Sequence, residues 1–393
     1  MKKIFMILAV ILSAAGCNGG IRKTVDEAIS SAREQALLMA EKYSAKDSLL
    51  PKTFENGNDV SSDSRWWCSG FFPGELWLLY EDTADTVLLS YAKEFTSRVE
   101  REKFTTDNHD VGFILNCSFG NAWRLTGDST YARVLVQGAK SLATRFSPKL
   151  GVIRSWDDHP QWQYPVIIDN MMNLELLMQA SEITGDQSFK EMAVSHADKT
   201  MEWHFRPDYS SYHVVSYDTL SCKPEKRKTH QGWSDESAWS RGQSWGLYGY
   251  TAMYRWTGFD RYLQQARHIA RFILDNPNMP SDGIPYWDYD CPMIPDTPRD
   301  ASAAAIMASA LIELSGFTSG SESAEYLSFA EKQISTLASG RYTAPKGENG
   351  DFILMHSTGA FPMDSEVDVP LTYADYYYVE ALSRLRKILN DNE

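Results

Sequence analysis

Cysteine, positive charge and long apolar runs are all scarce in this chain, and each scarcity excludes something. Five cysteines occur in 393 residues and no two stand as Cys-x-x-Cys, so a zinc ribbon or dithiol redox centre has no foothold. Cys68, Cys117, Cys222 and Cys291 are widely spaced, and a domain this large folds without disulfides, so mostly free, buried thiols are expected. The histidines form no His-Glu-x-x-His motif, and there is no glycine-rich phosphate loop or Gly-x-Ser-x-Gly elbow, so no metal or other cofactor is expected. Lys and Arg number 38 against 52 Asp and Glu, a net charge of −14, and no basic block exceeds Lys226-Arg227-Lys228. Nucleic acid is a poor partner for such a surface.

Aromatic residues are plentiful, with 12 Trp and 20 Tyr, and hydrophobic residues make up 43% of the chain, which is ample for a large core and excludes disorder. Flat aromatic faces suit sugar rings as well as they suit a core.

The amino terminus reads as an export signal. Met1-Lys2-Lys3 precedes an apolar run from Ile4 to Leu12 and the small residues Ser13-Ala14-Ala15-Gly16 before Cys17. The run is too short for a permanent membrane span. Gly16 directly before Cys17, with Asn18-Gly19-Gly20 after it, points to lipoprotein processing at Cys17, a tether over 18–24 and a lipid-anchored protein facing the bacterial periplasm. Ordinary signal cleavage nearby, giving a soluble exported protein, is the alternative. The part from Cys17 onward carries −16.

The body of the chain repeats a helical hairpin. Helix-like runs end at Thr126-Gly127-Asp128, Thr184-Gly185-Asp186, Thr257-Gly258 with Asp260, and more loosely at Leu314-Ser-Gly316. Glycine there supplies the left-handed helix terminus, and the following Asp caps the next helix. The glycines lie 58, 73 and 58 residues apart, close to a sixth of the mature chain, and single hairpins would leave an apolar face bare. An all-α toroid solves that; an open solenoid is the alternative. Tyr212 to Tyr217 alternates like a strand, and Asp218 to Lys228 reads as turns. No linker divides the body, so one domain is expected over 25–393.

Polar residues at inner-helix starts are the natural site candidates. Asp169 follows the apolar Pro165-Val-Ile-Ile168, with Pro165 placed to open a helix. Apolar surroundings favour a neutral carboxylic acid, a proton donor, whereas a helix start favours its ionised form as decoration. Asp110 before Val111 carries the same two readings, cap or site; two acids facing one cavity would divide acid and base roles. If a helix begins near Asp235, Arg241 and Trp245 share a face, and they offer a fork for a carboxylate and a platform for a ring, or simply a stacked core pair. Trp67 and Trp156 could line a cavity mouth or fill the core.

These segments, in this order, resemble glycoside hydrolase family 88, the unsaturated glucuronyl hydrolases. The strings are Trp67-Cys-Ser-Gly-Phe-Phe-Pro-Gly74, His109-Asp-Val-Gly-Phe113, Val166-Ile-Ile-Asp-Asn-Met-Met-Asn173, Thr229-His-Gln-Gly-Trp233, Ser240-Arg-Gly-Gln-Ser-Trp245, and Ser365-Glu-Val-Asp-Val-Pro370 with Tyr373-Ala-Asp-Tyr-Tyr377. Family 105, the unsaturated rhamnogalacturonyl hydrolases, shares the fold and a paired-Asp site; His230-Gln-Gly232 and Arg241-Gly-Gln-Ser-Trp245 favour family 88. The resemblance implies an (α/α)6 barrel, Asp169 as general acid/base and Asp110 as its partner carboxylate. It also implies substrate contacts from His213, Gln231, Arg241, Trp245, Trp67 and Trp156. The implied substrate is a lyase-generated oligosaccharide ending in a 4,5-unsaturated uronate. A surface glycan-binding lipoprotein and an inverting glycosidase acting on saturated glycans remain alternatives. His356-Ser357-Thr358-Gly359-Ala360-Phe361 lacks the Lys associated in some relatives with a sulfated acceptor, so sulfate recognition by that route is not expected.

Overall fold

The computed structural model describes residues 2–157 and 161–391, with side chains from residue 19 onward. Helix α1 (Lys2–Ser44) is followed by the hairpin β1 (Leu50–Glu55) and β2 (Asn58–Ser62), then α2 (Phe71–Thr83), α3 (Thr86–Arg98) and α4 (Val111–Leu115). A π turn (Asn116–Gly120) joins α4 to α5 (Asn121–Thr126), so the two are halves of one inner helix. Then come α6 (Ser129–Ala143), β3 (Phe146–Ser147), β4 (Val152–Ile153), β5 (Pro165–Ile167), α7 (Leu174–Thr184) and α8 (Gln187–Trp203). Strands β6 (Val214–Tyr217) and β7 (Pro224–Lys228) lead to α9 (Ser240–Thr257), α10 (Asp260–Leu274), α11 (Ala301–Phe317) and α12 (Gly320–Leu337). The hairpin β8 (Ser357–Ala360) and β9 (Ser365–Val369) precedes α13 (Thr372–Asp391).

Contacts close the ring. Helix α13 packs on α2, α2 on α5, α4 on α7, α7 on α9, α9 on α11 and α11 back on α13, while α3, α6, α8, α10, α12 and α1 cover the outside. This is an (α/α)6 barrel, and an open solenoid is excluded. Helix α11 is buried almost all round, as its Ala- and Ser-rich sequence requires of a helix enclosed by neighbours.

The hairpin turns share one mechanism. Gly127, Gly185 and Gly258 terminate helices with φ of 66°, 76° and 66°. Thr126, Thr184 and Thr257 each turn a hydroxyl back onto the carbonyl four residues earlier and accept the N–H two residues on. Asp128 and Asp186 then accept from Thr130 and Ser188, capping α6 and α8. The third turn departs from expectation: Phe259 is the capping position and Asp260 lies inside the first turn, where a carboxylate serves the helix dipole. The fourth departs further, because Gly316 lies within α11 and Gly320 (φ 64°) makes the turn. A hairpin hidden from the glycine pattern is Thr83-Ala84-Asp85, where Ala84 holds φ 54° and Asp85 caps α3.

Four further expectations change. Pro165 belongs to β5, paired antiparallel with β6 through Pro165 to Ser216 and Ile167 to Val214, so it opens a strand that delivers Asp169 into a 3-10 turn. The second half of the Asp218–Lys228 segment is β7, paired with β6. Helix α9 starts at Ser240, because Asp235 is engaged as a turn acceptor for Thr229 N–H and Lys228. At the amino terminus α1 is helical through 18–24, whereas Asn18-Gly19-Gly20 suggested a loose tether. Cys17 itself lies where side chains are outside the described residues. Among the described residues no helix is long and apolar enough to cross a membrane. Cys68, Cys117, Cys222 and Cys291 are free thiols, and only Cys222 is partly exposed.

Candidate active site

The inner helices run in one direction, so their starts share a mouth, and the chain uses that mouth for its polar residues. Asp110 stands at the start of α4, and its carboxylate makes no capping hydrogen bond, which removes the simplest structural reason for an acid there. Its turn is held by its own N–H donating to Asn108 Oδ1 at 2.9 Å. Asp169 lies in the 3-10 turn Ile168–Asn173 that leads into α7. The two turns are braced together: Phe113 N–H donates to Asn173 Oδ1 at 2.7 Å, and Gly112 has no Cβ where one would overlap the Asn173 side chain.

Both carboxyls hold protons unusually well. Burial pushes Asp169 up to about 6, against the lowering pull of Arg241, then of its own backbone N–H and the Trp245 indole. Burial also pushes Asp110 up to about 7, helped by the negative charge of Asp169 and opposed by Arg145. The pair therefore loses its protons over the range from about 6 to about 7. Asp169 Oδ2 is buried without a hydrogen-bond partner among the described residues.

His213 faces that oxygen. Its Nδ1 accepts the backbone N–H groups of His230 and Gln231, each at 3.1 Å, so the neutral ring carries its proton on Nε2, 3.7 Å from Asp169 Oδ2. Burial holds His213 well below the usual imidazole range, and it remains a neutral donor at working pH. His109, fully buried beside Asp110 (Nε2 to Oδ1, 3.4 Å), is pushed down to about 3 by burial and is likewise neutral.

The other expected residues fall into two groups. Trp156 is partly exposed and stacks on Trp162 at 5.7 Å, with His230 against both rings. Trp67 is also partly exposed and packs on Tyr373 at 4.8 Å and Phe113 at 5.4 Å. These two rims can meet a sugar ring. Trp245 and Arg241 do share a face of α9, yet both are buried. Trp245 packs between Phe113 and Tyr377, with its indole N–H near Asp169 but not completing a hydrogen bond within the protein. Arg241 is 1% exposed, and its fork is filled: Nη1 bonds Asp300 Oδ2 at 3.0 Å and Thr358 O, and Nη2 bonds Gly359 O at 2.5 Å. Both terminal nitrogens of the expected carboxylate fork are thus engaged by the protein, and the charge of Arg241 is felt at Asp169, which it lowers. Gln231 Nε2 donates to the same Gly359 O at 3.1 Å, tying the Thr229–Gln231 turn to β8.

Residue reading alone missed Asn173, Ser155 and Trp239. Ser155 Oγ lies 3.3 Å from His109 Nδ1 and accepts Ile167 N–H; Trp239 packs against His213 at 4.6 Å and under Arg241. The available signals were Asn173 closing the string that contains Asp169, and Trp239 directly before Ser240-Arg241.

A closed helical toroid with two proton-retaining carboxyls and aromatic rims at one mouth defines an (α/α)6 glycoside hydrolase. The comparisons with known proteins agree: residues 44–387 match the model of Glycosyl Hydrolase Family 88, and the chain belongs to that family. An unsaturated glucuronyl hydrolase of Formosa agariphila is 46% identical over 328 residues, 83% of this chain and 81% of that protein. The crystal structure of an unsaturated glucuronyl hydrolase specific for heparin is 47% identical with a TM-score of 0.91, covering 93% of this chain and 98% of the other. A mutant unsaturated glucuronyl hydrolase from Streptococcus agalactiae, solved in complex with dGlcA-GalNAc6S, is 27% identical with a TM-score of 0.78, covering 93% and 92%.

Proposed function

We propose that this enzyme removes the terminal 4,5-unsaturated uronate from lyase-generated glycosaminoglycan oligosaccharides by hydrating the C4=C5 enol ether. The supporting observation is the buried Asp169 carboxyl, raised to about 6, with Oδ2 unpartnered beside neutral His213. Protonated Asp169 delivers its proton to C4, and positive character spreads over C5 and the ring oxygen. Water, deprotonated by the same carboxylate, adds at C5; the hemiketal opens the ring and releases the neighbouring sugar. Asp110 supplies the electrostatic partner, and the neutral Nε2–H of His213 orients Asp169. Trp67 and Trp156 flank the ring. Salt screens the repulsion between the net negative charge and an anionic substrate beyond roughly 8 Å, so local groups dominate at the site, where Arg241 supplies positive potential.

The expected result with a lyase-derived disaccharide is loss of its ultraviolet absorbance, with a saturated glucuronide left untouched. In heavy-isotope solvents deuterium enters at C4 and labelled oxygen at C5. Label on the anomeric carbon would instead support direct glycosidic cleavage by an inverting hydrolase, and unchanged absorbance a glycan-binding protein without turnover.

We further propose that Cys17 is lipidated and tethers the enzyme to a bacterial membrane, facing the periplasm. The start of the described domain favours an orientation: Arg22 bonds Leu389 O and Asn390 Oδ1 at the end of α13, on the side of the barrel opposite the starts of the inner helices. An anchor at Cys17 therefore turns the catalytic mouth outward. Cys17→Ser is expected to move the enzyme from the membrane to the soluble fraction and abolish labelling by a fatty-acid probe; retained labelling would refute lipidation there.

A further inference from the structure

The barrel has a second mouth, where the inner helices end, and it contains a cavity of about 630 Å³. This cavity is separate from the catalytic mouth but close beneath it. Phe113, three residues after Asp110, lines its inner end and also touches Trp67 and Trp245 above; Met172, three residues after Asp169, lies beside it. The volume lies within the range of about 300–1,000 Å³ of small-molecule sites.

Its lining is selective about charge. Three arginines reach it, and each is already engaged: Arg124 by both oxygens of Glu81, Arg255 by Glu175 and Glu313, Arg384 by Glu313 and the Tyr248 hydroxyl. Its buried carboxylates are equally committed, Glu175 to Arg255 and Trp256 Nε1, Glu380 to Tyr248 and Ser309. An anionic ligand would compete with these carboxylates for the guanidinium groups, most expensively at the largely buried Arg384–Glu313 pair.

What remains is chiefly amide and aromatic chemistry, with the exposed Glu182 carboxylate at the edge. Gln179 donates to Asn116 Oδ1 at 2.6 Å, while its own Oε1 is buried without a partner. Gly120 makes room for this pair, since a Cβ there would come within 3.0 Å of Asn116 Oδ1 and 3.3 Å of Gln179 Nε2. Asn116 and Gly120 are the ends of the π turn, a departure from regular helix that often accompanies function. Trp123 and Trp256, both partly exposed, stand on the lining. An unpaired acceptor beside flat apolar faces, with the exposed carboxylate of Glu182 as the lining charge left outside these pairs, suits a ligand that carries no negative charge, is rich in hydroxyl donors and is apolar on the faces of its rings.

We propose that the far mouth of the barrel is a second binding site, for an uncharged mono- or disaccharide. The probe is lactose, titrated calorimetrically into the whole enzyme, with Gln179→Leu and Trp123→Ala as site variants whose thermal melts establish that they fold. Saturable binding is expected, weakened about tenfold by either substitution, a loss of the size one lost hydrogen bond or ring contact produces. Glucuronic acid is expected to leave this site empty. The proposal is overturned if lactose shows no saturation up to tens of millimolar, if both folded variants bind as the unsubstituted enzyme does, or if glucuronic acid displaces lactose with equal strength.

Discussion

Asp169→Asn will lower turnover of an unsaturated disaccharide by about 10²–10⁴-fold, the usual contribution of a general acid/base, and at pH 8 the inactive enzyme will melt no lower than the active one. The two halves of this result have one cause. Burial raises the Asp169 carboxyl to about 6, so the folded protein holds this proton more tightly than the unfolded chain does. A group raised in this way stabilises the fold below the unfolded value, and that contribution is lost as pH rises through about 6. At pH 8 the native enzyme therefore keeps a buried carboxylate whose Oδ2 has no partner, a strained arrangement that asparagine relieves. Activity follows the same proton: turnover falls as pH rises through about 6, where Asp169 loses its proton, and the variant's residual rate has no such limb. Thermal melts and pH–rate profiles of both proteins check this. A near-normal rate in the Asp169→Asn variant removes Asp169 from the chemistry, whereas a rate loss accompanied by a large fall in melting temperature reduces the residue to a structural part.

The contrast between what the sequence disclosed and what it concealed lies in the kind of bond involved. Thr-Gly-Asp turns are local, three or four consecutive residues satisfying one another's backbone groups, so Gly127 and Gly185 disclosed their hairpins and the barrel followed. Ala84 concealed another because a left-handed φ is only favoured by glycine, not reserved for it, and the Thr83 and Asp85 contacts hold it there. At the site, Asp110 and Asp169 were legible as acids in apolar strings, and their order in the chain matched a known pattern. The state of His213 was not legible, because two backbone N–H groups seventeen and eighteen residues away select its tautomer. The role of Arg241 was hidden for the same reason: its partners are a carboxylate 59 residues on and two backbone carbonyls beyond residue 357, and backbone oxygens leave no mark in sequence.

That hidden role makes Arg241→Ala the substitution with the largest expected effect on stability. The guanidinium is 1% exposed and Asp300 fully buried, so removal of one strands the other, at a cost of about 3–5 kcal/mol when a buried pair is broken. More than a charge is lost, because Thr358 O and Gly359 O also lose donors, and the β8–β9 hairpin loses its tie to α9. Asp300 keeps its bonds to Ser302 and to Thr358 N–H, so α11 retains its cap and the ring stays closed. Arg241→Lys will recover only part of the loss, since a single ammonium cannot span three acceptors in a plane. A double variant adding Asp300→Asn will cost less than the two single effects together, because the stranded charge is gone while the cap persists. Catalysis carries a separate signature. Arg241 is the first of the influences that lower Asp169, so in the alanine variant Asp169 holds its proton to higher pH and the alkaline limb of the pH–rate profile moves upward. Urea unfolding midpoints and pH profiles measured on the same preparations separate the two effects. A higher KM with unchanged unfolding and an unmoved pH limb would instead make Arg241 a direct ligand of the uronate carboxylate, with its present partners giving way to substrate.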